Sequence, residues 1–292
     1  MYPFSFQNPT RIEFGLDKEK EMGKYMHEYG AKKALIIYGS ERVKQSGLFE
    51  DVAKSLREHG IEYIECGGVK SNPTISRGRE AVAMAKTFGA DSVLSIGGGS
   101  CLDSAKAIAA GACYDGDTWD FFKGTPVQKA LMIFDVITLA ATGSEMNWGS
   151  VITNEETQQK YSIHSNHLFP KVSVINPKLQ ATVSRDYLVY SAADIIAHSI
   201  EAYFTAEYRP EIIDFLVESN IKTVIRTTEI LLNDPQDLNA RAEFAWAATL
   251  ALNGLTHLGI SPYGFPNHMI EHSMSAISDV PHGAGLSVIM PA

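Results

Sequence analysis

The stretch SVLSIGGGSCLDSAKAIA, residues 92–109, joins a short apolar run to a helical pattern through three successive glycines. The apolar run predicts a buried strand, and the residues after the glycines predict a helix. Glycines at such a turn let a phosphate group approach the backbone, and the first turn of the helix offers free N–H groups to an anion. Gly97, Gly98, Gly99 and Ser100 therefore form a candidate phosphate site, although a tight turn without any ligand would need the same glycines.

The alternation of strand and helix continues on both sides of this turn. Helical spacing at 48–60 and 76–89 separates the apolar runs, and two later runs resemble strands as well. Such alternation predicts a parallel, doubly wound α/β sheet with helices on both faces. The predicted strands lie within 32–40, 61–67, 90–100, 130–145 and 171–177.

Beyond Pro177 the strand signals nearly vanish, and four long segments carry helical periodicity. We therefore predict a domain boundary near residue 180. Residues 1–180 would form an α/β dinucleotide-binding domain, and residues 181–292 an all-helical, metal-binding domain.

The composition limits the partners that the protein can have. The chain has 292 residues, of which 25 are Lys or Arg and 34 are Asp or Glu, so its net charge is −9. This balance argues against nucleic acid or an anionic membrane as the main partner. No apolar run reaches transmembrane length, and the N-terminus lacks the pattern of a signal peptide. Because the three cysteines form no CxxC pair, we expect a reducing, cytoplasmic location.

Two further polar turns follow predicted strands, where open α/β sheets bind their ligands. The first, TLAATGSEMNWG, begins at residue 138 and offers hydroxyl and amide groups; an ordinary surface loop is the alternative. The second, YGSERVKQSG, begins at residue 38. Its Arg42 and Lys44 favour the 2′-phosphate of NADP(H), whereas Glu41 leaves NAD(H) as the alternative. A solvated helix start is an equally simple reading of this second turn.

A carboxylate and several histidines recur at helical spacing in the C-terminal half. Asp194 and His198 lie four residues apart in SAADIIAHSIEAYF, and His268 and His272 have the same spacing. His282 follows in PHG. A carboxylate among alanine and isoleucine is costly to bury unless it is paired or bound to a metal. One oxygen and three imidazole nitrogens would suit Fe²⁺, Zn²⁺, Ni²⁺ or Mn²⁺, but spacing alone does not say which histidines are ligands.

Together these stretches resemble the iron-containing (group III) alcohol dehydrogenases, and most of all their NADPH-dependent aldehyde reductase and butanol dehydrogenase branch. The resemblance implies the dehydroquinate synthase-like fold of that family. The family's chains continue their helical domain beyond the stretch that ends here, so the resemblance also implies a C-terminal truncation. The matching stretches are NPTRIEFG, SIGGGSCLDSAKAIA, TLAATGSEMNWGSVIT, VINP, DIIAHSIEAYF, NHMIEHSMSA and PHGAGLSVIMP.

The resemblance also assigns individual residues. The family's metal ligands, one Asp and three His, fall on Asp194, His198, His268 and His282, and His272 falls on a catalytic position beside the nicotinamide. The branch typically has YGGGSVK where this chain has YGSERVK, which bears on the choice between NADP(H) and NAD(H). The positions along the cofactor site fall on Gly39, Ser40, Asn72, Gly97, Gly98, Gly99, Ser100, Thr138, Thr142, Asn147 and Lys160.

The activity implied by the resemblance is that of a metal- and NAD(P)H-dependent alcohol dehydrogenase or aldehyde reductase. Hydride would pass between nicotinamide C4 and a metal-bound aldehyde or alcohol of short to medium chain length. A homodimer is expected from the resemblance alone. The alternatives are a glycerol or polyol dehydrogenase of the same fold and a truncated remnant that binds nucleotide and metal without turnover. A dehydroquinate synthase-like lyase would need a dense phosphate pocket of Lys, Arg and Glu, which the sequence does not contain.

Overall fold

The computed structural model describes every residue from Met1 to Ala292. The chain forms two compact units. The first, which we call the sheet unit, contains Pro9–Thr138 and Trp148–Asn176. The second, the helical unit, contains Met1–Asn8, Leu139–Asn147 and Pro177–Ala292. The division into independent domains at residue 180 stays a prediction.

The sheet unit contains six parallel strands in the order β1-β8-β5-β4-β2-β3, which confirms the predicted α/β class. Five of them lie within the predicted apolar runs, and β1 is a short edge strand that the sequence analysis did not predict. The remaining two strands, β6 and β7, form a separate antiparallel hairpin. The strands are β1 (Arg11–Phe14), β2 (Lys33–Tyr38), β3 (Glu62–Cys66), β4 (Ser92–Gly97), β5 (Met132–Ile137), β6 (Gly149–Asn154), β7 (Gln159–His164) and β8 (Val172–Ile175).

The central strands are buried because helices cover both faces of the parallel sheet. Every residue of β4 is buried, and β2 and β5 are buried from their second residue onward. This explains why these strands have continuous apolar runs rather than alternating polar and apolar residues. Parallel pairing brings the carboxyl ends of β2, β4 and β5 to the same edge of the sheet.

Eleven α-helices and five short 3-10 helices complete the two units, and two α-helices of the helical unit begin with a side-chain cap. The Ser184 side chain accepts a hydrogen bond from the backbone N–H of Tyr187, and Asp237 accepts one from Ala240. None of the helices is both long and apolar enough to cross a bilayer. The helices are α1 (Met22–Glu28), α2 (Arg42–Gln45), α3 (Leu48–Glu58), α4 (Ile75–Phe88), α5 (Gly99–Ala112), α6 (Trp119–Phe122), α7 (Arg185–Thr205), α8 (Glu211–Asn233), α9 (Leu238–Ala251), α10 (Pro266–Ser278) and α11 (His282–Ile289).

Helix α5 also anchors the hairpin of β6 and β7. The Asp103 carboxylate accepts a hydrogen bond from the backbone N–H of Val151 at 2.9 Å, and the Ser150 hydroxyl donates to the Asp103 carbonyl. The fully buried Lys106 donates to the Gly149 carbonyl at 2.9 Å. The helix that follows the glycine turn is therefore tied to the hairpin by its polar side chains as well as packed on the sheet.

The glycine turn itself is tightly packed. Strand β4 ends at Gly97, whose carbonyl accepts a hydrogen bond from the Thr138 N–H at 2.8 Å. A Cβ atom at position 97 would lie 2.5 Å from the Sγ atom and 2.8 Å from the Cβ atom of Cys101. These distances are too short for non-bonded atoms, so the turn requires glycine at position 97 whether or not a phosphate binds.

Replacing Gly97 by alanine should lower the free energy of unfolding by about 1–3 kcal/mol, because the added methyl group overlaps Cys101. The variant Cys101→Ala removes the sulfur, so the double variant should lose less than the sum of the two single losses. Denaturant unfolding of the four proteins measures this coupling. Strictly additive losses would contradict the packing explanation. The control is Gly78→Ala in α4, where the nearest atom to an added Cβ lies 4.0 Å away and no loss is expected.

Candidate metal centre and nucleotide site

The structure brings Asp194 and the three predicted histidine ligands together inside the helical unit. Asp194 and His198 lie one turn apart on α7, His268 lies on α10, and His282 is the first residue of α11. The Oδ1 atom of Asp194 lies 3.6 Å from each of three nitrogens: His198 Nδ1, His268 Nε2 and His282 Nε2. One carboxylate oxygen is thus equidistant from three imidazole rings.

Each of these distances from Asp194 Oδ1 is close to what a small divalent cation requires. The ligand atoms of Asp194, His268 and His282 also lie within 4.8 Å of one another, a group that does not include His198. Bonds of 2.0–2.2 Å in a tetrahedral site place neighbouring ligand atoms about 3.4 Å apart. Three of the atoms, Asp194 Oδ1, His198 Nδ1 and His268 Nε2, are buried and have no hydrogen-bond partner in the protein. Buried polar atoms are normally hydrogen-bonded, so the three atoms point to a further group at the centre of the cluster. The donor set fits a metal ion.

The cluster also controls the protonation of its own members. Burial by itself would raise the pKa of Asp194, but the rings of His198, His282 and His268 outweigh burial and lower that pKa below its ordinary value. Burial lowers the pKa of His198 to about 3. Asp194 is therefore ionised and His198 neutral at neutral pH, which are the forms that bind a cation. Burial lowers the pKa of His268 as well, but the Asp194 and Glu201 carboxylates outweigh it and raise that pKa to about 9.

Two buried glutamates that the sequence analysis did not predict contact two of these histidines. The Glu201 carboxylate contacts His268 Nδ1, and the Glu271 carboxylate contacts His282 Nδ1. The signal that could have found them is the one that identified Asp194. Glu201 follows His198 among apolar residues in HSIEAYF, and Glu271 precedes His272 in MIEHS.

The predicted catalytic residue, His272, lies at the edge of this cluster. Its ring centroid is 5.6 Å from that of His282 and 6.3 Å from that of His268. His272, His282 and Glu271 also form a second group whose ligand atoms lie close enough to hold a cation. An imidazole at this position is suited to proton transfer near neutral pH.

Three further histidines, His257, His164 and His167, are not among the predicted ligands. His257 stacks on Tyr263 with ring centroids 5.1 Å apart, and burial lowers the pKa of His257 to about 4. His164, in β7, and His167 both belong to the sheet unit.

The sheet unit gathers most of the predicted cofactor positions at the carboxyl ends of its strands. Gly39 and Ser40 follow β2, Thr138 follows β5, and the glycine turn connects β4 to α5. Gly98 is the N-cap residue of α5, so the free N–H groups of its first turn are presented at this edge. The arrangement offers an anion both backbone donors and the positive end of a helix dipole.

Two more predicted cofactor positions contact each other in the sheet unit. The Lys160 ammonium group donates to the Asn72 side-chain oxygen at 3.1 Å, and both residues are buried. Close by in the chain, Ser71 accepts a hydrogen bond at its carbonyl from the Ser100 hydroxyl. The loop after β3 is therefore tied both to the hairpin residue Lys160 and to the glycine turn.

Thr142 and Asn147 belong to the helical unit. The Thr142 hydroxyl accepts a hydrogen bond from the Ser144 N–H at 3.2 Å, and the Asn147 amide donates to the Gly143 carbonyl at 3.0 Å. The polar groups of both residues therefore shape their own loop. Their predicted contact with a cofactor stays a prediction.

The two cations after β2 differ in their surroundings. Lys44 forms ion pairs with Glu65 at 2.6 Å and with Glu41 at 3.8 Å. Arg42 is exposed, and no ion pair engages its guanidinium group. Arg42 is thus the cation of this turn that remains free to meet an anion, which the sequence alone did not reveal.

Two family models together match almost the whole chain. The model described as iron-containing alcohol dehydrogenase matches residues 9–177. The model described as the C-terminal part of the Fe-containing alcohol dehydrogenase family matches residues 188–292. These matches confirm the predicted resemblance.

Individual relatives agree with these models. A probable NADH-dependent butanol dehydrogenase of Bacillus subtilis is 40% identical over 292 residues, which are 100% of this chain and 75% of that protein. An NADPH-dependent aldehyde reductase of Escherichia coli is 33% identical over 100% of this chain and 75% of its own length. The crystal structure of NADH-dependent butanol dehydrogenase A from Thermotoga maritima superposes with a TM-score of 0.97, at 46% identity over 100% of this chain and 73% of that one. The chain belongs to the iron-containing alcohol dehydrogenase family.

Proposed function

We propose that this protein reduces aldehydes of short to medium chain length, and oxidises the corresponding alcohols, with a nicotinamide cofactor and one divalent metal ion. The observation that carries the proposal is the 3.6 Å spacing between Asp194 Oδ1 and three imidazole nitrogens in a buried cluster. When bound, the nicotinamide supplies or accepts hydride and the cation polarises the carbonyl group. The family membership and the butanol dehydrogenase names of several relatives support the same reaction class.

In this proposal each group of side chains has one task. Asp194, His198, His268 and His282 hold the cation, Fe²⁺ or Zn²⁺ in the first instance and Ni²⁺ or Mn²⁺ as alternatives. The cofactor-binding residues hold the dinucleotide, with its pyrophosphate at the first turn of α5. They are Gly39, Ser40, Asn72, Gly97, Gly98, Gly99, Ser100, Thr138, Thr142, Asn147 and Lys160.

His272 is the proposed proton donor. It would protonate the oxygen of the carbonyl group as hydride reaches the carbon, and remove that proton in the oxidation direction. The apolar ring of Phe265 packs edge-on against His268 with centroids 5.4 Å apart, which suits an aliphatic substrate chain near the cluster.

Butanal-dependent oxidation of NADPH or NADH by the chain, reconstituted with Fe²⁺ or Zn²⁺, tests the proposed activity. Turnover that depends on the added metal is expected. A folded protein that binds metal and nucleotide without turnover would contradict the proposal and favour the remnant reading. Faster turnover with glycerol than with butanol would favour a polyol dehydrogenase, a reading that the fourth candidate ligand, His268, disfavours.

The variant His272→Ala should lower kcat by about 10²- to 10⁴-fold, which is the usual contribution of a positioned general acid or base. Metal content should stay near that of the wild type, because His272 is not one of the four proposed ligands. The measurements are the pH profile of kcat and elemental analysis of the purified variant. An unchanged pH profile with wild-type turnover would remove His272 from the mechanism.

NADP(H) is the proposed preferred cofactor, because the free guanidinium group of Arg42 can meet a 2′-phosphate. The variant Arg42→Ala should weaken NADPH binding by about 10- to 100-fold, since a hydrogen bond to a charged group contributes about 1.5–3 kcal/mol. NADH binding should not change. Fluorescence titration with both nucleotides measures this difference. Equal losses for NADPH and NADH, or tighter binding of NADH by the wild type, would favour NAD(H).

A cytoplasmic location and a homodimer complete the proposal. All three cysteines are free thiols, in accord with a reducing compartment. A homodimer predicts a mass of twice 32.0 kDa in sedimentation equilibrium.

A further inference from the structure

Two carboxylates lie in the interior of the helical unit without being part of the proposed ligand set. Glu201, on α7, is 2% exposed, and Glu271, on α10, is fully buried. Burying a carboxylate costs free energy unless it is hydrogen-bonded or ion-paired, so each of these carboxylates needs a partner that offsets the lost hydration. The partners are imidazole rings of the metal cluster: His268 for Glu201 and His282 for Glu271.

Each glutamate contacts the ring nitrogen that faces away from Asp194. In both histidines Nδ1 contacts the glutamate, while Nε2 lies 3.6 Å from Asp194 Oδ1. A carboxylate is an acceptor, so the Nδ1 atom that contacts it must carry the proton. In the neutral ring the lone pair then belongs to Nε2, which points into the cluster. The two glutamates thereby select the tautomer that can bind a cation there.

The contacts between glutamates and histidines link three helices. Glu201 of α7 orients a histidine of α10, and Glu271 of α10 orients a histidine of α11. Asp194 of α7 faces both of these histidines. The three helices are thus joined at the cluster by contacts between the chain's own side chains, which hold the proposed ligands in place.

Both carboxylates are themselves fixed by their surroundings. The second oxygen of Glu201 accepts a hydrogen bond from the backbone N–H of Asn267 at 2.7 Å, in the first turn of α10. Glu271 occupies space that only glycine at position 285 leaves open. A Cβ atom at Gly285 would lie 2.8 Å from Glu271 Cγ and 3.2 Å from its Oε1 atom, and also 2.7 Å from the terminal methyl group of Met274.

We propose that Glu201 and Glu271 are positioning residues that fix the tautomers of His268 and His282 and strengthen metal binding, and that Gly285 makes room for Glu271. This proposal rests on the proposed metal centre. A competing assignment makes Glu271 a ligand itself, because it also groups with His272 and His282. The two assignments predict different results when the charge of Glu271 is removed.

Cobalt binding distinguishes the two assignments of Glu271, because Co²⁺ bound by nitrogen and oxygen ligands has a visible spectrum that reports its coordination. The metal-free chain and its variants are titrated with Co²⁺ in competition with a chelator. Glu201→Gln and Glu271→Gln should each weaken binding by about 10- to 100-fold, the usual effect of losing an outer partner of a ligand. The saturated spectra should keep the wild-type band positions. The ligand variant Asp194→Ala should change or abolish the spectrum.

Two further variants make the test specific. Glu207→Gln removes an exposed carboxylate just after α7 and should bind Co²⁺ as the wild type does. Gly285→Ala should weaken binding, and its combination with Glu271→Gln should weaken binding by less than the two single losses together, since both changes affect the Glu271 side chain. Circular dichroism and NADPH binding establish that each variant is folded.

Wild-type Co²⁺ affinity in folded Glu201→Gln and Glu271→Gln would overturn the positioning role. A Glu271→Gln spectrum as altered as that of Asp194→Ala would overturn it for Glu271 and make that residue a ligand. A wild-type chain that does not bind Co²⁺ would overturn both this proposal and the metal centre. A chain that binds Co²⁺ with the expected variant losses, yet reduces no aldehyde, would contradict only the proposed activity.

Discussion

The carboxylate of Asp194 is the group around which the helical unit is organised. Removing a charged oxygen from water is unfavourable unless opposite charge or hydrogen bonds replace the lost hydration. At Asp194, three imidazole rings from three helices converge on one oxygen, which accepts no hydrogen bond from the protein and so leaves a place for a cation among the rings. This requirement fixes which faces of α7, α10 and α11 can meet. It also explains why two further carboxylates, Glu201 and Glu271, are needed behind the rings to complete the network.

In the sheet unit, the parallel pairing of the strands determines where polar groups lie. Parallel strands buried on both faces leave few places where polar groups can gather, and the carboxyl edge is one of them. The glycine turn after β4, the short segment after β2 and Thr138 after β5 all lie there because the strands are parallel and in register. The close packing of Gly97 against Cys101 shows that the first glycine of the turn serves the fold directly.

Much of this could be predicted from the sequence, for physical reasons that differ between the parts. The buried strands have continuous apolar runs, and Asp194 with His198 is conspicuous because an acid and an imidazole interrupt an apolar helix. The short edge strand β1 and the polar hairpin of β6 and β7 were not predicted, because neither has a long apolar run. Glu201 and Glu271 were missed because a single glutamate in a helix is ordinarily solvated, so their apolar neighbours in the sequence are a weaker signal than the acid and imidazole of Asp194 and His198. Lys44 forms an ion pair with Glu65, which is distant in sequence and is brought close only by the pairing of β2 with β3. The sequence alone therefore could not distinguish the paired Lys44 from the unpaired Arg42.

The order of the four proposed ligands along the chain has a consequence for the unfolded protein. Asp194 and His198 precede the long helices α8 and α9, whereas His268 and His282 follow them. An ion held by all four therefore closes a large loop, much as a disulfide would between distant residues. Such a cross-link restricts the conformations of the unfolded chain and favours the folded state by an amount that grows slowly with loop length. The segment that contains α8 and α9 would thus lose conformational freedom in the unfolded chain through an ion held by residues outside both helices.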